Sequence, residues 1–318
     1  MKRHAFAPCV VFLLCFGAIQ ATAAGAEDVS PTHEEVDPIG GTDELSFQAL
    51  ESFCLDGDDN LLACDRKAGQ VLKISPAGKL QKRWEMPFPP IRIKWAGEGE
   101  VYVGGPAVLA RVNGDGEVAA SIRSDNEVIP RARVSGIATT KAHVFASFGS
   151  GWSLRSRDSI VRLNRDLTEP ALIAEGLRGC CQRLDLAAKD DVLYAAENAR
   201  YRVLRMDKSG ETLSKWGERS RTDVAGFGSC CNPMNIAFGP GGQLYTAESG
   251  LGRVKRYSPD GEFLGLVGEV GVQRFRRAGR MAASCSNITV AVSSDGTDVY
   301  VQDVKENLIR VLKKKDSD

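Results

Sequence analysis

One short unit recurs six times along this chain, and that recurrence constrains the fold more than any other feature. Residues 236 to 248 (IAFGPGGQLYTAE) align without gaps on 93 to 105 (IKWAGEGEVYVGG), and on 186 to 197 (LAAKDDVLYAAE) with one deletion. The unit returns at 53 to 65 (FCLDGDDNLLACD), 137 to 147 (IATTKAHVFAS) and 290 to 303 (VAVSSDGTDVYVQD). The starting residues Phe53, Ile93, Ile137, Leu186, Ile236 and Val290 lie 40, 44, 49, 50 and 54 residues apart. Each copy reads as an apolar run, a tight Gly or Asp turn and a second apolar run. A further pair of runs follows, broken by turns such as Asn113-Gly114-Asp115-Gly116 or Ser258-Pro259-Asp260-Gly261. Four strands per unit, with no helical period, favour a closed ring over a solenoid and predict an all-β, six-bladed β-propeller. The last copy ends with LIRVLKK and lacks a fourth strand; residues 45 to 51 (LSFQALE) are expected to supply it, which would remove the open sheet edge.

The blades resemble the NHL-repeat family: apolar-Ala-apolar, a turn, apolar-Tyr-Val-apolar-Asp, then Arg-apolar-apolar before a Pro-Asp-Gly-like hairpin. The resemblance covers nearly all of the chain after its first residues. Ser229-Cys230-Cys231-Asn232-Pro233, running into the fifth copy, is similar to an exported bacterial subgroup with paired cysteines. Such propellers serve as binding platforms, as lyases and as relatives of lactone hydrolases, so the resemblance implies a fold and leaves the activity open.

Residues 1 to 26 read as a secretory signal peptide: Met1-Lys2-Arg3-His4 is basic, Pro8 to Ile19 is apolar, and Ala21-Thr22-Ala23 or Ala24-Gly25-Ala26 offers small residues for cleavage. The product is therefore expected to be secreted or periplasmic, monomeric and without a membrane span. Residues 27 to 44 carry seven acids and no Lys or Arg, and read as a disordered acidic linker ahead of a propeller spanning 45 to 318. Forty-one Lys and Arg balance 41 Asp and Glu, which argues against nucleic acid as a partner and leaves a small anionic ligand or another exported protein.

Loss of the signal would leave seven of nine cysteines. Cys180 and Cys181 precede Leu186 at the offset at which Cys230 and Cys231 precede Ile236, and Ser284-Cys285 stands in the same place before Val290. These positions are blade crossings, expected to converge on the mouth of the central channel. Three readings stay open. Adjacent cysteines close on themselves, at the cost of strain, since neighbouring Cα atoms lie about 3.8 Å apart and disulfides usually span roughly 4.4 to 6.8 Å. Alternatively, cysteines of different blades pair, or thiolates of Cys181, Cys231 and Cys285 hold a soft metal such as copper or zinc. Cys54 and Cys64, diagonal in the first hairpin, are expected to form a structural disulfide.

The loops of the same face hold 16 Arg against 9 Asp or Glu, with Arg183, Arg253, Asn232 and Trp152 as candidate ligand contacts around the cysteines. Arginine forks suit carboxylates and phosphates. A channel-metal hydrolase or lyase is the other reading, with Asp185 and Asn235 as oxygen ligands for calcium. Only three histidines are present, in no catalytic arrangement, so no catalytic residue is assigned. The acids closing the second strands, Asp65, Glu197, Glu248 and Asp303, read as turn-forming residues rather than ligands.

Overall fold

A computed structural model describes residues 29–124, 128–129, 132–149, 157–271 and 287–316, with the backbone alone at 276–277 and 280–281. The signal segment, Trp152 and Cys285 lie outside the described residues.

The first strand, β1 (His33–Ile39), precedes six blades. The first blade is β2 (Leu50–Leu55), β3 (Leu61–Asp65), β4 (Gln70–Ile74) and β5 (Leu80–Glu85); the second is β6 (Arg92–Trp95), β7 (Val101–Gly104), β8 (Val108–Val112) and β9 (Val118–Arg123). The third is β10 (Arg133–Thr139), β11 (His143–Gly149), β12 (Asp158–Asn164) and β13 (Ala171–Leu177), and the fourth β14 (Asp185–Lys189), β15 (Val192–Glu197), β16 (Arg202–Met206) and β17 (Thr212–Trp216). The fifth is β18 (Asn235–Phe238), β19 (Leu244–Glu248), β20 (Arg253–Tyr257) and β21 (Phe263–Glu269). A two-stranded ribbon, β22 (Arg276–Arg277) with β23 (Arg280–Met281), leads to the sixth blade of β24 (Val290–Val292), β25 (Asp298–Asp303) and β26 (Leu308–Lys314). All ladders are antiparallel, and inner strands follow one another round the ring, β2 beside β6, β10, β14, β18 and β24 in turn, with β24 returning to β2. The six-bladed propeller expected from the repeat is the observed fold.

Blades meet through apolar faces. Leu62, Val71 and Trp84 of the first pack on Val101, Val103 and Ala110 of the second. The recurring turn glycines have two duties: Gly116 (φ +90°) and Gly261 (φ +95°) occupy the left-handed region, and each abuts a tryptophan of the preceding blade, Trp84 and Trp216, so closely that a Cβ would collide with the ring.

Ring closure differs from the expectation. The outer strand of the last blade is β1, paired with β26 in the register His33 to Lys314, Glu34 to Lys313 and Val36 to Val311. The acids that suggested a linker lie against the basic C-terminal strand: Glu35 Oε1 is 3.3 Å from Arg310 Nη1. His33 and Ile39 are buried, and Pro38 sits in this edge strand, where a missing donor is tolerated. The propeller therefore begins at residue 33. Residues 45 to 51 instead lead into the inner strand of the first blade, with the N–H groups of Gln48 and Ala49 donating to the Asp65 carboxylate at 2.7 and 3.0 Å.

Candidate functional site

The residues just before the inner strands converge at one end of the channel. Glu51 from the first blade sits among Arg66, Arg92, Arg133 and Asn287. Its Oε1 accepts from Arg133 Nη2 at 2.9 Å and from Asn287 Nδ2 at 3.2 Å, its Oε2 from Arg66 Nε at 3.2 Å, and Arg92 Nη1 lies 3.9 Å away. Arg183 donates to the Glu51 carbonyl at 3.1 Å and to Asn287 Oδ1 at 3.0 Å, and Arg133 also reaches Gln182 Oε1 at 2.8 Å. Arg92 is fixed by the carbonyls of Ser135 and Ile91. Beside the cluster opens a cavity of about 430 Å³ lined by Glu51, Arg66, Ile91, Pro106, Arg133, Gln182 and Asn287.

The charges do not cancel. Arg183 is fully buried and Arg92 is 4 % exposed, and with Arg133 and Arg66 they outnumber the carboxylates in their field, Glu51 and Asp185. Burial, with repulsion from Arg183 and Arg133, holds Arg92 well below the usual arginine range against the pull of Glu51. Burial likewise pushes Arg183 down to about 10, opposed by Glu51 and Asp185. Burial alone would raise Glu51, but the guanidiniums of Arg92, Arg183 and Arg133 keep it below its ordinary value. Among the described residues, Arg183 Nη1 and Arg133 Nε are buried without a hydrogen-bond partner. Unsatisfied donors on buried cations are costly, and an added acceptor relieves that cost.

Asp185 and Asn235 line a narrower channel cavity of about 170 Å³ with Cys54, Lys94 and Thr289. They act as blade-to-blade stitches. Asp185 Oδ2 accepts from Asn235 Nδ2 at 2.7 Å and Ile236 N at 2.9 Å, while Asn235 Oδ1 accepts from Val290 N at 2.7 Å. Burial raises Asp185, opposed first by the Ile236 N–H and then by Arg183 and Arg92. With Asp185 Oδ2 and Asn235 Oδ1 committed to these stitches and Asp185 in the field of Arg183 and Arg92, the pair is poorly disposed to a hard cation such as calcium. Among the described residues no group of three or more His, Cys, Asp or Glu side chains is arranged to hold a metal ion.

The paired cysteines fall where the repeat placed them, in the turns before β14 and β18. Cys180 and Cys231 belong to one buried cluster, and Cys181 and Cys230 pack against it. Sulfurs approach within each pair, at 3.6 Å for Cys180 and Cys181 and 3.1 Å for Cys230 and Cys231. The expected three-thiolate metal set across blades includes Cys285, which lies outside the described residues. Cys54 and Cys64 form no disulfide. The register pairs Cys54 with Leu62 and Ser52 with Cys64. That diagonal separates Cα atoms by roughly 7–8 Å, beyond disulfide reach. Cys64 is fully buried and Cys54 partly so, and desolvation pushes Cys54 up to about 12 and raises Cys64 also.

Asn232 is a structural clamp rather than a ligand contact: its amide holds Gly228 O at 2.8 Å and Ser249 O at 3.2 Å, and its Oδ1 accepts from Ser249 N. Arg253 lies at a separate cavity of about 350 Å³ formed with 220–224, Gly228, Ser229 and Leu251, its Nε on Glu269 Oε1 at 2.8 Å. Much of the arginine rim is locally neutralised, as Arg200 and Arg202 are on Glu197. Two of the strand-closing acids reach beyond their own turns to the preceding crossings: Glu248 Oε1 accepts from Gly228 N at 2.6 Å and Glu197 Oε1 from Arg178 N at 3.1 Å.

Next to Glu248, Lys255 is wholly buried over the Phe227 ring, 4.6 Å from its centroid, and donates to Val224 O at 3.0 Å and Gly226 O at 2.6 Å. Burial pushes Lys255 down to about 8, opposed by Glu248. A lysine depressed in the folded state binds fewer protons there than when unfolded, so folding stability rises as pH climbs from about 8 towards 10.5. Urea unfolding of wild type against the Glu248→Gln/Lys255→Met double variant should show this gain in wild type only. Parallel pH curves for the two proteins would refute it.

Of the residues absent from the sequence reading, Glu51 and Arg92 open inner strands, as Arg133 does, while Gln182 and Asn287 lie just before one, as Arg183 does. The signal was a polar residue within four positions before each aligned start.

No protein-family model matches the chain, and no curated protein matches it. Solved structures do. A gluconolactonase from Xanthomonas campestris superposes with a TM-score of 0.60 at 12% identity, over 85% of this chain and 87% of that one. The calcium-binding protein regucalcin from Agrobacterium tumefaciens gives 0.59 at 14%, over 90% and 98%. Virginiamycin B lyase from Staphylococcus aureus gives 0.54 at 14%, over 82% and 79%. At such identities the likeness carries the fold alone: this chain shares the six-bladed propeller architecture of these proteins.

Proposed function

We propose that this protein is an exported, NHL-type propeller serving as a binding platform, which takes a small oxyanion-bearing ligand, a carboxylate or a phosphate, at the arginine-lined mouth of its channel. The observation that carries this reading is the excess of Arg66, Arg92, Arg133 and Arg183 over the Glu51 and Asp185 carboxylates, with Arg133, whose buried Nε lacks a hydrogen-bond partner, lining an open cavity. Arg133, partly exposed, is the natural contact. Charge-assisted hydrogen bonds are worth about 1.5–3 kcal/mol each, or roughly 10- to 100-fold in affinity. Calorimetric titration of the full chain with inorganic phosphate and with succinate should detect saturable binding of at least one, weakened at least about tenfold in Arg133→Ala. Equal affinity in wild type and variant would sink the reading, and the two titrants tell phosphate from carboxylate.

The second reading, a metal-dependent hydrolase or lyase of the kind named for the structural neighbours, would centre on Asp185 and Asn235. It predicts activity lost to chelators of hard cations and kept in Cys→Ser variants. The stitching of both side chains into the blade ladder weighs against it.

A further inference from the structure

Two consecutive blade crossings carry the same device. Cys181 and Cys231 each stand four residues before an inner-strand start, Asp185 or Asn235, and each has left-handed backbone, at φ 58° and 59°. In both, the adjacent sulfurs are turned to the same side, 3.6 Å and 3.1 Å apart. The backbone around the first pair is pinned: Gly179 N donates to Asp158 Oδ2 at 2.6 Å, Cys180 N to Asn198 Oδ1 at 2.6 Å, and Arg183 N to Cys180 O at 3.1 Å. Around the second, Gly228 is held from both sides by Glu248 and Asn232. Left-handed residues with a side chain persist only where their surroundings enforce them, so these turns are built to hold the two thiols together. A hydroxyl or alkyl side chain in either place would gain nothing from that geometry.

We propose that Cys180 with Cys181, and Cys230 with Cys231, are two reversible covalent modification sites, each pair closing on itself into an eight-membered disulfide ring on reaction with a disulfide-bearing oxidant. One thiolate attacks the oxidant's disulfide, forms a mixed disulfide and expels a thiolate that takes up a proton. The neighbouring thiolate then attacks the protein sulfur of that mixed disulfide, forming the ring bond and expelling the second thiol. Two electrons pass from the pair to the oxidant, whose two halves leave with the two protons. The second step is favoured by proximity, because the attacking sulfur is already in place. The ring spans adjacent Cα atoms about 3.8 Å apart, which strains it and makes it easy to reduce, so the modification is reversible. Cys181 also lies within the field of Arg183, which connects the first pair to the charged mouth.

The sequence makes the test direct. Trypsin cuts after Arg178 and Arg183, and after Arg221 and Arg253, so peptides 179–183 and 222–253 each contain one cysteine pair and no other cysteine. The full chain is treated with oxidised glutathione, blocked with iodoacetamide, digested and weighed with and without reductant. Each peptide should be two hydrogens lighter and unalkylated before reduction, and doubly alkylated after reduction and a second treatment with iodoacetamide. In Cys180→Ser and Cys231→Ser the remaining, more accessible cysteine, Cys181 or Cys230, is deprived of its neighbour and should retain one glutathione. Doubly alkylated peptides without reductant would overturn the proposal. So would a cross-link between 179–183 and 222–253, or from either to the peptide holding Cys285.

Discussion

Deletion of residues 29–40 should lower the thermal midpoint by about 10 °C or more and make the protein associate. The strand removed closes the ring: β1 contributes a five-pair ladder to β26 and buries Ile39 against Tyr300 and Ile309. Ladder hydrogen bonds at about 0.5–1.5 kcal/mol each and an apolar side chain at about 1.5–3 kcal/mol sum to roughly 4–10 kcal/mol. The deletion also bares β26, an edge strand whose register partners are gone, and open edges recruit other chains. Scanning calorimetry and light scattering across a concentration series read both effects. An unchanged midpoint would mean that closure resides elsewhere.

Glu51→Ala should be the most damaging single substitution at the channel mouth, costing about 3–5 kcal/mol, because it strips the carboxylate from a cluster whose cations stay buried. Since Glu51 is held below its ordinary value of 4.5, its contribution is fully present above that pH and is lost as pH falls through the depressed value. Wild type should therefore lose stability on acidification along a slope that Glu51→Gln lacks. The variant also offers a sign test for ligand binding. With the internal anion gone, phosphate should raise the thermal midpoint of Glu51→Ala more than that of wild type at matched ionic strength, by mass action on a vacated site. A loss of stability below about 1 kcal/mol would show that Glu51 does not neutralise the arginines.

Much of this architecture is legible from the repeat alone, because a period-two apolar run with a Gly or Asp turn has few ways to bury its face. Phe53, Ile93, Ile137, Leu186, Ile236 and Val290 each fall in an inner strand, as their alignment requires. The register also put Cys180, Cys181, Cys230 and Cys231 in equivalent turns. What failed depended on partners distant in sequence. Acids at 34 and 35 look like solvated linker until Lys313 and Arg310 are set opposite them. Cys54 and Cys64 share a sheet face, yet the diagonal offset leaves them out of bonding range. Of the loop arginines, Arg200, Arg202 and Arg253 meet local acids; the excess gathers on Arg133 and Arg183, which belong to those loops, and on Arg92, which does not. These three come from different blades, and bulges such as that between Val134 and Gly136 shift their offsets from the aligned starts, so alignment of the repeat does not superpose them.

The account rests on an anion site at the channel mouth, and crystals soaked in selenate, measured at the selenium absorption edge, test it by position. The predicted result is an anomalous peak within hydrogen-bond distance of the Arg133 guanidinium in the cavity it lines, absent from Arg133→Ala. Selenate found only on exposed rim arginines such as Arg200 and Arg219, with the mouth empty, would contradict it.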